Sequence, residues 1–195
     1  TGQTISQTWD GTRTGGVIVA PEGNYRFDMT ATRNGQNVAS SSATTALDLT
    51  PPTAAINQPT SGADTFGAVA ITGDAFDPNL HFQDYLLEFG IGSNPLTYAS
   101  IGTVQTTPVT GGALGTWTTN DFGPSEPVPN GGYQIRLTVN DRAGNIARVT
   151  RQVNVDNLVV GQVVSSRTTL NTFLAETAQI GFSLNKPANV TLKIY

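Results

Sequence analysis

Two stretches alternate apolar and polar residues over seven positions: Tyr25-Arg26-Phe27-Asp28-Met29-Thr30-Ala31 and Tyr133-Gln134-Ile135-Arg136-Leu137-Thr138-Val139. A period of two puts successive side chains on opposite faces, so each predicts a half-buried antiparallel strand. Ahead of each stands Pro-x-Gly, in which Pro presets φ and Gly is free to take a positive φ, a turn signal. Behind them come Arg33-Asn34-Gly35-Gln36 and Asp141-Arg142-Ala143-Gly144-Asn145, both hairpin turns. Val38-Ala39 and Ile146-Ala147 open the return strands. Further strands are predicted at Ala54-Ala55-Ile56, Val69-Ala70-Ile71-Thr72 and Tyr85-Leu86-Leu87-Glu88-Phe89, the last two joined by a loop at Asp77-Pro78-Asn79. Ile180, Phe182 and Leu184 alternate with polar neighbours, and so do Val190, Leu192 and Ile194 after a turn at Asn185-Lys186-Pro187-Ala188. Residues 169–176 are too short for a convincing helix and read as an irregular approach to a strand. The pattern is all-β.

The two tyrosine strands belong to a longer internal match. At a constant offset of 108, without gaps, Thr8, Trp9, Pro21, Gly23, Tyr25, Thr30, Asn37 and Ala39 repeat as Thr116, Trp117, Pro129, Gly131, Tyr133, Thr138, Asn145 and Ala147. In both copies Trp precedes Tyr by 16 positions. An offset near 100 residues is the length of one immunoglobulin-like sandwich, far above the 20–50 of a solenoid repeat. The expected fold class is therefore all-β: tandem immunoglobulin-like or fibronectin III-like antiparallel β-sandwiches. Each copy is expected to supply a Trp-bearing strand and a hairpin with its tyrosine near the start.

Leu49-Thr50-Pro51-Pro52-Thr53 reads as a stiff, extended linker, because two prolines stop any ladder. Residues 53–157 then form one complete domain. Residues 1–52 hold only the later, Trp-to-hairpin half of a domain, and residues 158–195 only the opening half. Neither flank alone buries enough surface to be stable. The expectation is a window on an array, in which each flank is completed by neighbouring chain or by an adjacent protomer.

Composition narrows the functions. Charged residues make up 12% of the chain, about half the usual share, and the net charge is −4 with 10 Lys and Arg scattered singly. No basic stripe exists to neutralise phosphates, so nucleic acid is not an expected partner. No run of about 18 apolar residues spans a membrane. Cysteine is absent, which removes disulfides, thiolate nucleophiles and Cys-ligated zinc, and suits an exported protein. No leader pattern lies in this segment; the expected location is extracellular or at a bacterial-type cell surface.

Trp9-Asp10-Gly11, Gly15-Gly16 and Pro21-x-Gly23-x-Tyr25-x-Phe27 together resemble the Ig-like domain of the flagellar hook-capping family, which recurs in bacterial secreted and surface proteins. Phe182-Ser183-Leu184 with Ala188-Asn189-Val190-Thr191-Leu192-Lys193-Ile194-Tyr195 resembles the opening hairpin of that family. The usual stretch between these halves is missing here. The middle domain is similar to bacterial Ig-like repeats at Pro52-Thr53-Ala54-Ala55-Ile56, Gly73-Asp74-Ala75, Tyr85 to Gly90 and Leu137 to Asn145. These resemblances imply structural and adhesive modules and name no ligand.

Candidate chemistry is sparse. His81 is the sole histidine, so a Ser-His-Asp or zinc constellation lacks parts, and a plain loop residue after Pro78 is the simpler reading. Asp74, Asp77 and Asp84 lie close in sequence but also suit turns, and no acid/base couple is evident. The chain is expected not to be an enzyme. Calcium is the more serious option: Asp77, Asp141, Asn145 and Asp156, with Asn157 beside it, offer hard oxygens near loop ends, where ions rigidify domain junctions. No dense Asp-x-Asp-x-Asp pattern supports it. Trp9 and Trp117, with Tyr25 and Tyr133, are read as core residues rather than sugar platforms, while Phe82, Tyr85 and Tyr98 are left as surface contacts. Asn189-Val190-Thr191 matches a glycosylation acceptor on an expected strand.

The leading functional expectation is a structural repeat unit of a stalk, sheath or fibre, joined to neighbouring copies of itself or adjacent Ig-like repeats by strand addition. The alternatives are a spacer of a secreted enzyme or adhesin and a carbohydrate-binding module whose partner is a polysaccharide.

Overall fold

The structure is a computed structural model and describes residues 6–12, 21–79, 81–120, 128–158 and 161–194. Strands β1 (Gly23–Arg33) and β2 (Gln36–Leu47) form a hairpin that is a two-stranded sheet by itself. Its turn is Asn34-Gly35, with φ of 51° and 76°. Positive φ at both central residues gives a turn whose twist matches the flanking strands, and Asn-Gly is the pair that tolerates it best.

The body of the molecule comprises β3 (Thr53–Gln58), β4 (Ala63–Thr65), β5 (Ala68–Phe76), β6 (Phe82–Ile91), β7 (Ala99–Gln105), β8 (Val109–Thr118), β9 (Gly131–Asp141) and β10 (Ile146–Val155). These make two sheets, ordered β3-β5-β8 and β4-β10-β9-β6-β7. All pairings are antiparallel except β4 with β10. The all-β expectation holds, and the predicted strands at Ala54, Val69, Tyr85, Tyr133 and Ile146 all form.

The core is the inner face of both sheets. On β9 the buried row is Tyr133, Ile135, Leu137 and Val139; on β5 it is Val69, Ile71, Gly73 and Ala75. Ile71, Ile135, Leu137 and Val139 are fully enclosed, each stabilising by about 1.5–3 kcal/mol relative to exposure. Trp117 on β8 is buried in this core. Its ring lies 4.8 Å from Phe89 and meets Tyr133 edge-on at 5.6 Å, so aromatic contact adds to area burial. Tyr133 turns its hydroxyl back to donate to the Pro129 carbonyl at 2.9 Å. Gly73 leaves no room for a side chain beside β3: a Cβ there would stand 1.9 Å from the Ala55 carbonyl oxygen.

The flanks differ from the expectation of half-buried strands. Trp9 packs on Tyr25 and Phe27 at 4.8 and 5.2 Å, and Tyr25 donates to the Pro21 carbonyl as Tyr133 does to Pro129. Trp9 itself lies in no strand, correcting the expected Trp-bearing strand there. Phe27 is 41% exposed and Met29 65%, because no second sheet covers this hairpin among the described residues. At the other flank β11 (Val164–Ser165) pairs with β12 (Ile180–Gly181), with a 3-10 turn at Thr172–Leu174. The alternating segment at Val190, Leu192 and Ile194 forms no strand. Alternation creates two faces, but a strand exists only when a neighbour supplies the ladder. Asn189 therefore sits in exposed, irregular chain rather than on a strand. No helix among the described residues is long and apolar enough to cross a membrane.

Candidate functional site

Both inner rows run on into an aspartate. The β5 row of Val69, Ile71, Gly73 and Ala75 continues to Asp77, and the β9 row of Tyr133 to Val139 continues to Asp141. Both are nearly sealed from solvent, at 4% and 1% exposed. They share one end of the sandwich, since β6 opens directly after the Asp77 loop and pairs Phe82 with Asp141. The peptide N–H of Arg142 donates to the His81 carbonyl at 2.8 Å, locking the two loops together.

Each aspartate organises its own loop. Asp141 accepts from the N–H groups of Ala143 and Asn145 at 2.8 Å on one oxygen, and from the Asn145 side-chain amide at 2.8 Å on the other. Asp77 accepts from the N–H groups of Asn79 and His81 at 2.8 and 3.1 Å through Oδ1 alone. Its Oδ2 is buried and meets no hydrogen-bond donor. A bare carboxylate oxygen in that setting costs about 1–3 kcal/mol or more.

The chain leaving β2 lies across this end and adds a third carboxylate. Asp48 is buried at 6% exposed, and its Oδ2 receives the His81 Nδ1 hydrogen at 2.6 Å. Its other oxygen accepts from the Thr50 N–H at 3.1 Å and from the Asn79 amide at 3.3 Å. The His81 hydrogen bond is the main cause holding the Asp48 carboxyl below its ordinary range, against burial pushing it up. Glu22 joins from the start of the hairpin, accepting from the Asn79 amide at 2.5 Å and from the Thr50 hydroxyl at 2.5 Å. Asn145 reaches the Asp48 carbonyl at 3.1 Å. The expected linker is thus bonded to the hairpin on one side and the sandwich on the other.

One donor atom each from Asp48, Asp77 and His81 lies within 4.8 Å of the others, a spacing suited to a shared ion. Of the four residues proposed from sequence as calcium ligands, Asp77 is in this group, and Asp141 and Asn145 adjoin it. Asp156 does not join them. It follows the far end of β10 and pairs with Lys186 at 2.7 Å, and ten strand residues put about 30 Å between the ends. Asn157 is also spent. It donates to the carbonyls of Thr119 and Val128 at 2.8 and 3.1 Å, while its oxygen accepts from the Thr119 hydroxyl at 2.8 Å.

Sequence reasoning missed Asp48, Glu22 and Asn79, and took His81 for a plain loop residue. It also left Phe82 and Tyr85 as surface contacts, whereas both are core, and Tyr85 donates to the Leu114 carbonyl at 2.9 Å. Tyr98 is partly open but committed: the Arg136 guanidinium lies 3.6 Å from its ring centroid, and its hydroxyl is bonded to Gln134. Arg136 in turn pairs with Glu88 at 2.8 Å. Asp74 and Asp84 are likewise engaged, by the Gly111 N–H at 2.6 Å and the Asn140 amide at 2.7 Å.

No protein-family model matches the chain. No curated protein matches it either.

Proposed function

We propose that the chain is a structural repeat unit of an extracellular or cell-surface assembly, built from immunoglobulin-like sandwiches and joined to its neighbours by strand complementation. It is not an enzyme on this reading. The observation that carries the proposal is the pair of hairpins 108 positions apart. β1 and β9 have the same length and begin at corresponding glycines. Each tyrosine bonds the carbonyl of the proline four residues before it, and each packs against a tryptophan. One hairpin is covered by a second sheet, and the other keeps Phe27, Met29 and Val38 open.

The occupant of that open face is the segment around Ile180–Ile194 of another copy. It resembles the first half of the domain whose second half is the hairpin, and its Phe182, Val190, Leu192 and Ile194 are themselves exposed. An uncovered sheet with unpaired edges is a template for strand addition. The chain should therefore self-associate head to tail in sedimentation experiments, and Met29→Asp or Leu192→Asp should each reduce it. A chain that stays monomeric at high concentration, with or without those substitutions, contradicts the proposal.

A further inference from the structure

We propose that the end of the sandwich facing the β1–β2 hairpin binds a divalent first-row transition-metal cation, of which zinc is the probe, through Asp48, Asp77 and His81. The argument starts from the two closed ends of the same body. At the far end the inner rows finish in Thr119 and Asn157, whose polar atoms satisfy one another. At the near end the rows finish in Asp77 and Asp141, and Asp48 is laid over them. Asp141 has donors on both oxygens. Asp77 keeps a buried oxygen without any. A fold that bonds Thr119 and Asn157 at one end and leaves a sealed carboxylate oxygen bare at the other lacks a positive partner there.

The donor set selects the class of cation. Asp48, Asp77 and His81 bring two carboxylates and an imidazole within 4.8 Å of one another. Carboxylate and imidazole together suit zinc and its neighbours, whereas calcium takes six to eight oxygens. Ligation through the Nδ1 that now bridges His81 to Asp48 would take the hydrogen off that nitrogen: a neutral ring shifts to its Nε2–H tautomer and a protonated ring gives one proton to solvent, so both groups become ligands without any redox change. The loop is already braced: Asp77 Oδ1 holds the peptide N–H groups of Asn79 and His81, and Asn79 ties both to Asp48 and Glu22. Because Asp48 comes from the chain leaving the hairpin, and Asp77 and His81 come from the sandwich, the ion would clip the hairpin to the body. This holds whether or not units join by strand pairing.

His81 is the sole histidine, so its ring resonances report the site without ambiguity. The full chain is stripped with chelator and titrated with Zn²⁺, and separately with Ca²⁺, by calorimetry, thermal melting and nitrogen-15 NMR of the imidazole. The expected result is one zinc per chain, a shift of the Nδ1 resonance, and a Tm rise of about 10–20 °C at a hundredfold excess over Kd. Asp77→Asn and His81→Gln should each weaken zinc binding at least about tenfold (one lost ligand), while Asp64→Asn should not. Circular dichroism of the metal-free variants checks that they fold, and the wild-type NMR shift stands independently of them. Zinc that binds His81→Gln as tightly as wild type overturns the assignment. So does calcium binding that leaves the imidazole unperturbed while zinc fails to bind, and so does the absence of saturable binding by either ion.

Discussion

Tyr133 donates its hydroxyl hydrogen to the Pro129 carbonyl, four residues upstream, at 2.9 Å. This bond closes the chain's entry into β9 from the core side, and burial around it raises the tyrosine pKa. Tyr133→Phe keeps the ring against Trp117 but leaves the carbonyl without its donor. The expected loss is about 0.5–1.5 kcal/mol, or a fall of about 4–8 °C per kcal/mol for a unit of this size, read by thermal melting. Tyr25→Phe, in the hairpin, should leave that transition unmoved.

Gly73 should be the least replaceable glycine in the body. Adding a Cβ places it 1.9 Å from the Ala55 carbonyl oxygen and 3.0 Å from a Leu114 methyl, so β3 must separate from β5. Gly73→Ala is expected to cost more than about 3 kcal/mol. Gly35→Ala meets no atom and strains only the local backbone at φ 76°, a cost of about 1–2 kcal/mol confined to the hairpin. Urea unfolding followed by Trp117 fluorescence distinguishes the two.

Asn157 plugs the far end of the sandwich by hydrogen bonding to Thr119 and Val128. Asn157→Ala takes the amide donor from the Val128 carbonyl and the acceptor from the Gly67 N–H, while the Thr119 carbonyl and hydroxyl keep the Val128 N–H and the Gly67 carbonyl, for an expected loss of about 1–3 kcal/mol. Asn157→Asp should do no better, because a carboxylate then faces the carbonyls that the amide had served. Equilibrium denaturation of both variants is the measurement, and an Asp variant as stable as wild type would contradict this account.

Backbone amides should exchange very differently in the two hairpins. In β9, between β10 and β6 and over a sealed core, protection should approach the global unfolding free energy. In β1 and β2, whose faces are largely open, protection should be much lower in dilute solution. It should rise with protein concentration if a second copy covers the face. Hydrogen exchange with mass spectrometry at two concentrations tests both statements.

Much of the fold was legible because its cause is local. Tyr133 to Val139 alternate, and a period of two has one structural meaning when a core lies on one side. Asn34-Gly35 forms the hairpin turn for reasons contained in those two residues. The same alternation at Val190 to Ile194 gives no strand, because no ladder partner lies beside it among the described residues. Phe82 and Tyr85 were misjudged because an irregular register between Phe82 and Asp84 turns both inward, which simple alternation forbids.

The candidate site was legible only in fragments. Asp77, Asp141 and Asn145 are legible as loop oxygens, and so is Asp156 at the other end of β10, because proximity to a strand end says nothing about which end of a sandwich a residue occupies. Asp48 gave no signal, since its meaning comes from His81, 33 positions on.

What the sequence determined by itself was the set of local elements: period-two strands, their turns, and two equivalent hairpins 108 residues apart. Each follows from interactions among residues close in the chain. What only the tertiary structure decided was which hairpin is covered, which aromatic side chains are core, and which carboxylates meet. Those outcomes depend on sheet order and on the path of residues 48–52 across the end of the sandwich. Long-range packing sets that path, and no short window of sequence contains it.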